Sequence, residues 1–229
     1  MKVLAVLVLL VLGLSVLVDR VAVGVAEGQV AQQLADRGGL AGEPDVDIRG
    51  FPFLTQAFGG RYEEVRISLT AEELGRPEGT EADIALRGVR LPLSSVLSGE
   101  VREVPVDRID GTATLSYELL AAELGGDTTL QREGEDLRIT RTVDLLGYSL
   151  PLTASGTVGL DGDEVVVEVA DASGAGVEIP RILVGRVADL LDLRYRVELP
   201  FGLRLTGVAP ADDGVDVRVE ADTTVLSAE

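Results

Sequence analysis

The chain has 229 residues and a formal net charge of −19, and its single lysine, Lys2, leaves only scattered arginines as later positive charge. No basic patch suited to nucleic acid is present. The absence of cysteine and histidine excludes disulfides, Cys or His metal ligands and a Ser-His-Asp triad. The composition therefore predicts a binding protein without a cofactor or metal, and not an enzyme.

The first element is an unbroken apolar run from Val3 to Val18. A helix rises about 1.5 Å per residue and needs about 20 apolar residues to span the hydrocarbon, so the run is slightly short. A basic residue before a short apolar stretch is typical of an export signal, but no small-x-small cleavage triplet follows Val18. Residues 1–18 are predicted to be a signal or an uncleaved membrane anchor. Residues 19–229 are predicted to form one exported domain at the outer face of the cytoplasmic membrane.

A helix is predicted for Asp19 to Gly38, because Val23, Val30 and Leu34 share one face and Gly38-Gly39 supplies a stop. It can continue the apolar run without a break. Such continuity would hold the domain close to the bilayer.

The rest of the chain alternates apolar and polar residues between Gly/Asp turns, which is typical of strands. Strands are predicted at 45–49, 62–70, 82–93, 101–115, 128–132, 137–145, 149–160, 164–170, 195–206 and 214–225, and helices at 71–74, 94–98, 116–124 and 180–193. The apolar parity changes between Leu86 and Val89, which indicates a bulge at Gly88. Helices do not alternate with strands, so we predict an α+β fold with a long helix packed on one strongly curved antiparallel sheet.

Gly50 to Gly60 contains three of the four phenylalanines of the chain. Pro52 and the flanking glycines predict a loop that presents Phe51, Phe53, Leu54 and Phe58 to a cavity or a bilayer. Burying each such side chain contributes roughly 1.5–3 kcal/mol, so we do not expect the segment to lie in water. The alternative is that these rings fill the domain core.

An apolar-Pro-apolar pattern recurs at 91–93, 150–152 and 199–201. Proline lacks the N–H that a sheet ladder needs, so it belongs at strand edges and ends. The three sites are predicted to form the rim of an apolar cleft, which makes Leu91, Leu93 and Phe201 candidate lipid contacts. Protection of sheet edges is the alternative.

Two stretches carry a resemblance to a known family. Asp47-Ile48-Arg49-Gly50-Phe51-Pro52-Phe53-Leu54-Thr55-Gln56 and Gly59-Gly60-Arg61-Tyr62-Glu63-Glu64-Val65 are similar to motifs of the actinobacterial LmeA-like phospholipid-binding proteins. The order of the C-terminal elements agrees as well, so the resemblance covers nearly the whole chain. The chain differs in its strong acidity and lacks the cysteine of a lipoprotein.

The resemblance implies an envelope protein that binds phospholipid, with phosphatidylinositol-type lipids as leading candidates, and a link to mannan elongation on lipoglycans. It also implies a tubular lipid-binding-like fold, in which a curved antiparallel sheet cradles a long helix beside an apolar groove. The signature residues that carry over are Phe51, Pro52, Phe53, Leu54, Thr55, Gln56 and Arg61, and the resemblance does not say which of them contact lipid. From the apolar character of the segment, Phe51, Phe53, Leu54 and Phe58 are predicted to do so. Arg61 is the candidate for a phosphate contact, with Arg49 as a second choice.

The sequence thus predicts a non-catalytic envelope protein that binds phospholipid and membrane and holds an acyl chain in an apolar groove. The main alternative is a scaffold or accessory protein that docks a membrane glycosyltransferase through an exposed apolar patch. A hydrolase that uses paired carboxylates is a third alternative. A cavity of several hundred Å3 lined by aliphatic side chains would favour the first of these.

Overall fold

The computed structural model describes residues 2–92, 95, 103–124, 127–145, 148–162, 164–174, 177–178, 194–196, 199 and 202–227. Its helices are α1 Lys2–Gly38, α2 Phe53–Gly59, α3 Ala71–Leu74 and α4 Tyr117–Leu124. Its strands are β1 Asp45–Arg49, β2 Arg61–Leu69, β3 Glu81–Arg90, β4 Glu103–Ser116, β5 Thr128–Glu133, β6 Asp136–Leu145, β7 Tyr148–Asp161, β8 Glu164–Gly174, β9 Val177–Glu178, β10 Arg194–Arg196, β11 Arg204–Pro210 and β12 Gly214–Ser227. The helices predicted at 94–98 and 180–193 lie outside the described residues, except Ser95.

The N-terminal helix is continuous, as the sequence predicts. α1 runs from Lys2 through the apolar segment to Gly38, and Gly39 follows in the left-handed conformation at φ +63°. The large apolar side chains of residues 3–18 are 46–83% exposed, whereas Val23 and Ala31 are buried. Among the described helices, α1 alone has the length and apolar composition to cross a membrane, a property that export signals share.

The strands form two antiparallel sheets, which confirms the α+β class. One sheet has the order β1-β2-β3-β4-β12-β11, and the other has the order β10-β8-β7-β6-β5 with β9 on β8. The sequence predicts one long sheet and a single strand over 195–206. The structure has β10 and β11 there instead, in different sheets, and Gly202 between them takes a left-handed φ of +70° that ends an extended strand.

The chain divides into two compact units. Unit 1 comprises Met1–Leu69, Asp83–Asp110 and Ala221–Glu229, and unit 2 comprises Thr70–Ala82 and Gly111–Glu220. The single domain predicted for residues 19–229 stays a prediction.

Unit 1 buries apolar residues of its strands and one face of α1. Leu86 and Val89 are both buried on β3, although they lie three residues apart, and Gly88 between them has φ +64°. A regular strand would point them to opposite faces, so the predicted change of parity is confirmed. The backbone N–H of Ile48 on β1 donates to the Glu27 carboxylate of α1 at 2.8 Å, which joins this helix to the edge of the sheet.

Unit 2 has its own core. Leu130, Leu137, Ile139 and Val158 form a buried cluster on β5, β6 and β7. The apolar face of α4 packs against this cluster, and the helix begins where the sequence predicts. The Ser116 hydroxyl accepts the Leu119 N–H at 3.2 Å there, which satisfies one of the free donors of the first turn.

Candidate functional site

Unit 2 contains a cavity of about 520 Å3. Strands of both sheets, α3, α4 and the turn after α3 line it, and sixteen of the nineteen described lining residues are leucine, isoleucine, valine or alanine. These sixteen are Leu74, Ala82, Ala113, Leu115, Leu119, Leu120, Leu124, Leu130, Leu137, Ile139, Val158, Val165, Val167, Val208, Val215 and Val217. The volume lies within the ~300–1,000 Å3 typical of ligand pockets.

Strand alternation explains why the lining is so apolar. Side chains two residues apart on a strand share a face, and the lining takes Leu137 and Ile139 from β6 and Val165 and Val167 from β8 in this way. Val166, between the last two, is not in the lining. The β6 pair is buried while the β8 pair is only half-buried, so the cavity has a buried floor and a side that meets solvent.

Three polar residues complete the lining, namely Arg76, Thr80 and Glu81. The buried Thr80 hydroxyl donates to the Ser116 hydroxyl at 3.0 Å, so it is already satisfied within the protein. Arg76 is exposed, and no ion pair joins its guanidinium to a residue in the described part of the chain. The cavity therefore has an aliphatic interior with one cationic residue, Arg76, and one anionic residue, Glu81, among the described lining residues.

Arg76 is held by the end of a short capped helix. Thr70 and Glu73 form a capping box at the start of α3, and hydrogen bonds from Thr70 lower the pKa of the Glu73 carboxyl. At the other end Gly75 has φ +60°, and the Arg76 N–H donates to the Ala71 carbonyl at 2.9 Å. These caps fix the backbone on which the Arg76 side chain is carried.

The cavity suits one kind of ligand. An aliphatic lining excludes water and offers no hydrogen bonds, so it favours a hydrocarbon, at about 0.8 kcal/mol for each methylene removed from water. An arginine among the lining residues suits an anionic group attached to that hydrocarbon. The arrangement fits an acyl chain with a charged head.

None of the described residues that the sequence analysis predicts as lipid contacts lines this cavity. The predicted contacts are Phe51, Phe53, Leu54, Phe58, Arg61 and Leu91, and all of them lie in unit 1. Leu93 and Phe201 lie outside the described residues. A role for these side chains in lipid contact stays a prediction.

The phenylalanine segment is a helix where the sequence predicts a loop. α2 begins directly after Pro52, because proline is compatible with the start of a helix, and it ends at Gly60 with φ +62°. Phe53 is buried, and its ring centroid lies 6.2 Å from that of Tyr62. Phe51 and Phe58 are 60% and 80% exposed. Of the three phenylalanine rings in this segment, Phe53 thus lies in the core, whereas Phe51 and Phe58 lie at the surface.

The Gln56 side chain holds this segment in place through two hydrogen bonds. Its side-chain NH2 donates to the Arg49 carbonyl at 3.2 Å, and its side-chain oxygen accepts the Glu63 N–H at 2.8 Å. Gly50 makes room for this amide, since a Cβ there, at φ +101°, would lie 2.6 Å from the Gln56 nitrogen. Gly50 and Gln56 are therefore structural members of the motif.

The second motif also has a structural glycine. The Gly60 carbonyl accepts the Leu91 N–H at 2.9 Å, and a Cβ on Gly60 would lie 3.1 Å from the Cα of Pro92. This contact brings Leu91, a predicted rim residue, to the end of α2. The neighbouring Arg61 is exposed and pairs with Asp107 at 3.0 Å, and Asp107 also pairs with Arg90.

Asp19 ties α2 to α1. Its carboxylate is 2% exposed and accepts the Leu54 N–H at 2.9 Å. The Leu54 N–H and the Arg20 guanidinium, the latter at 3.3 Å, satisfy this buried carboxylate. The guanidinium of Arg20 lies 5.2 Å from the centroid of the Phe51 ring, a cation–π distance. The first two residues after the apolar segment are thus bound to the phenylalanine motif.

The chain matches the family model described as LmeA-like phospholipid-binding over residues 17–220. The match covers most of the chain. The chain belongs to the LmeA-like phospholipid-binding family. The match begins within the apolar segment and includes the α2 motif and the whole of the unit 2 cavity. No curated protein and no solved structure matches the chain.

Two residues of this LmeA-like chain escape sequence reasoning. Arg76 stands alone in a Gly-Arg-Pro turn, and nothing in its surroundings indicates that it lines a cavity. The sequence gives only a weak indication of the role of Asp19. Pro52 before α2 offers no side-chain acceptor, so the free N–H groups at the start of that helix need an acceptor from elsewhere in the chain. The partner lies 35 residues away in sequence, beyond the reach of local patterns.

Proposed function

We propose that this chain is a non-catalytic phospholipid-binding protein of the cell envelope, and that the unit 2 cavity holds a lipid acyl chain. The observation that carries the proposal is the cavity of about 520 Å3 with its aliphatic lining. The family membership supports phospholipid as the ligand class.

The arrangement of the lining supports a fit to an amphiphile. The hydrocarbon contacts the leucine and valine side chains of β5–β8, β12 and α4, where each methylene gains from leaving water. The guanidinium of Arg76 contacts the phosphate of the headgroup through charge-assisted hydrogen bonds. A phosphatidylinositol-type headgroup remains the leading candidate, because the family resemblance implies it and Arg76 favours an anionic lipid.

The same cavity disfavours the accessory-protein alternative. A protein that acts only by docking a glycosyltransferase needs no internal space and is expected to have a filled interior. A cavity of this size lowers stability unless a ligand fills it. The link to mannan elongation stays a prediction of the resemblance.

The location follows from α1. We propose that the apolar residues 3–18 remain in the cytoplasmic membrane and that the rest of the chain is exported to its outer face. The uninterrupted helix and the exposed apolar side chains of this segment support an anchor. The tubular, strongly curved sheet that the resemblance implies is part of this proposal.

The test is native mass spectrometry of the full chain, expressed with its membranes present, extracted in mild detergent and analysed for bound lipid. We expect about one phospholipid per chain. The cavity variant Val165→Phe/Val167→Phe places two rings into the proposed acyl site and should reduce the bound lipid at least tenfold.

The matched control is Val166→Phe, which makes the same exchange on the same strand but outside the cavity lining. It should retain wild-type lipid content. Equal lipid content in all three proteins, or a lipid-free wild-type chain that takes up nothing from mixed vesicles, would overturn the proposal. Thermal unfolding of each variant shows whether lost binding is merely lost folding.

A further inference from the structure

The α2 segment, which comprises residues 51–59, exposes two aromatic side chains to solvent. Phe58 is 80% exposed and Phe51 is 60% exposed, although phenylalanine is among the residues most often buried. Phe51 precedes the short helix α2 and Phe58 lies near its end, whereas Phe53 is buried and Leu54 is half-buried. The cavity of unit 2 does not use them.

The length of the apolar part of α1 indicates where the α2 segment lies relative to the membrane surface. Val3 to Val18 is about 24 Å long as a helix, which is shorter than a hydrocarbon core of about 30 Å. Val21 and Val25 are 60% and 58% exposed and lie one turn apart, so the outer face of α1 stays apolar further along the chain. With Val25 included, the apolar face is about 34 Å long and can span the bilayer. The membrane surface therefore falls between Val18 and Val25.

The contacts of α2 with α1 lie in this interval. The Asp19 carboxylate accepts the N–H of Leu54, and Arg20 stacks over the ring of Phe51. Because these contacts fix α2 beside the first turn after Val18, its exposed rings are held at the level where the hydrocarbon meets the headgroups. An aromatic ring beside an arginine that reaches the headgroups is a side-chain pair suited to this region.

We infer that Phe51 and Phe58 insert into the interfacial region of the membrane that holds α1. The occupant of this apolar surface is the lipid bilayer itself, since the surface lies beside the first residues of α1 that follow its apolar segment. The inference goes beyond lipid binding in the cavity, because it assigns a second lipid contact in unit 1. It also accounts for two exposed aromatic side chains that have no role in the core.

The chain contains no tryptophan, so a single introduced Trp reports its own surroundings without background. Phe58→Trp is made in the full chain, which is reconstituted into phosphatidylcholine vesicles with bromine at a shallow or a deep acyl position. The control is Val225→Trp, an exposed apolar residue of unit 1 on β12 that is 45% exposed and is not part of α2.

We expect shallow bromine to quench most of the Trp emission at position 58 and little of it at position 225. Absence of quenching at position 58, or equal quenching at both positions, would overturn the inference and favour a protein partner for this surface. The same pattern should persist in the Val165→Phe/Val167→Phe background. Failure of the cavity proposal therefore leaves this result unchanged, and the two are tested separately.

Discussion

The two apolar sites of the molecule differ in chemistry and in curvature. The unit 2 cavity is concave, and its described lining is mostly branched aliphatic and contains no aromatic residue. The α2 segment of unit 1 instead exposes two phenylalanine rings, while its glycines and Gln56 hold the backbone in place. An aliphatic hollow suits a flexible acyl chain, whereas exposed rings next to an arginine suit the interfacial region of a bilayer. The most recognisable motif of the chain is thus distinct from the cavity that fits a lipid.

The largest predicted effect separates the two roles within α2 itself. Phe53→Ala removes a buried ring and should lower the free energy of unfolding by about 3–5 kcal/mol. Phe58→Ala removes an exposed ring and should change it by no more than about 0.5 kcal/mol. Chemical denaturation of the full chain in mild detergent measures both. Similar losses in the two variants would mean that Phe58 is part of the core and not of a membrane contact.

A smaller effect distinguishes the two candidate phosphate contacts. Arg76→Gln should weaken binding of an anionic phospholipid by roughly two- to tenfold, because a charge-assisted contact at an exposed site is partly screened by water. Arg61→Gln should leave the affinity unchanged, since Arg61 is already paired with Asp107. Lipid titration with anionic and zwitterionic headgroups measures both variants. A loss confined to Arg61→Gln would support the sequence prediction and would place the headgroup in unit 1.

The smallest effect concerns the link between α1 and α2. The Asp19 carboxylate accepts the Leu54 N–H, and a hydrogen bond to a charged group is stronger than one to a neutral group. Asp19→Asn keeps an acceptor for this N–H but removes the charge, so it should lower the free energy of unfolding by about 0.5–1 kcal/mol. Chemical denaturation of the full chain in mild detergent measures the change. An unchanged free energy of unfolding would show that the charge of Asp19 makes no such contribution.

The sequence predicts the elements better than it predicts their assembly. The continuous helix α1 follows from an apolar run and a Gly-Gly stop, and the strands of unit 2 follow from alternation between glycine turns. The helix α2 is missed because Pro52 and Gly50 suggest a loop, although proline is well suited to the start of a helix. The division into two sheets is missed because β10 and β11 read as one alternating segment.

The site is harder to predict for a physical reason. The described cavity lining comes from ten helices and strands and one turn that are up to about 140 residues apart, so no local spacing reveals it. The phenylalanine motif is easy to recognise because its residues are adjacent in sequence. Three residues of that stretch, Gly50, Gln56 and Gly60, have structural roles and do not identify the lipid site. The family resemblance predicts the ligand class but not the cavity that fits it.

The unbroken course of α1 has a kinetic consequence. A flexible glycine-serine linker of n residues has a root-mean-square end-to-end distance of about 5–6 Å × √n, so the attached protein would move over that distance. A helix is stiff and holds the attached protein at a fixed distance from the bilayer. With the first half of α1 in the bilayer, unit 1 would search for partners and lipids by lateral diffusion in two dimensions. Its encounter rate with a membrane lipid would then depend on surface density and not on the volume of the surrounding compartment.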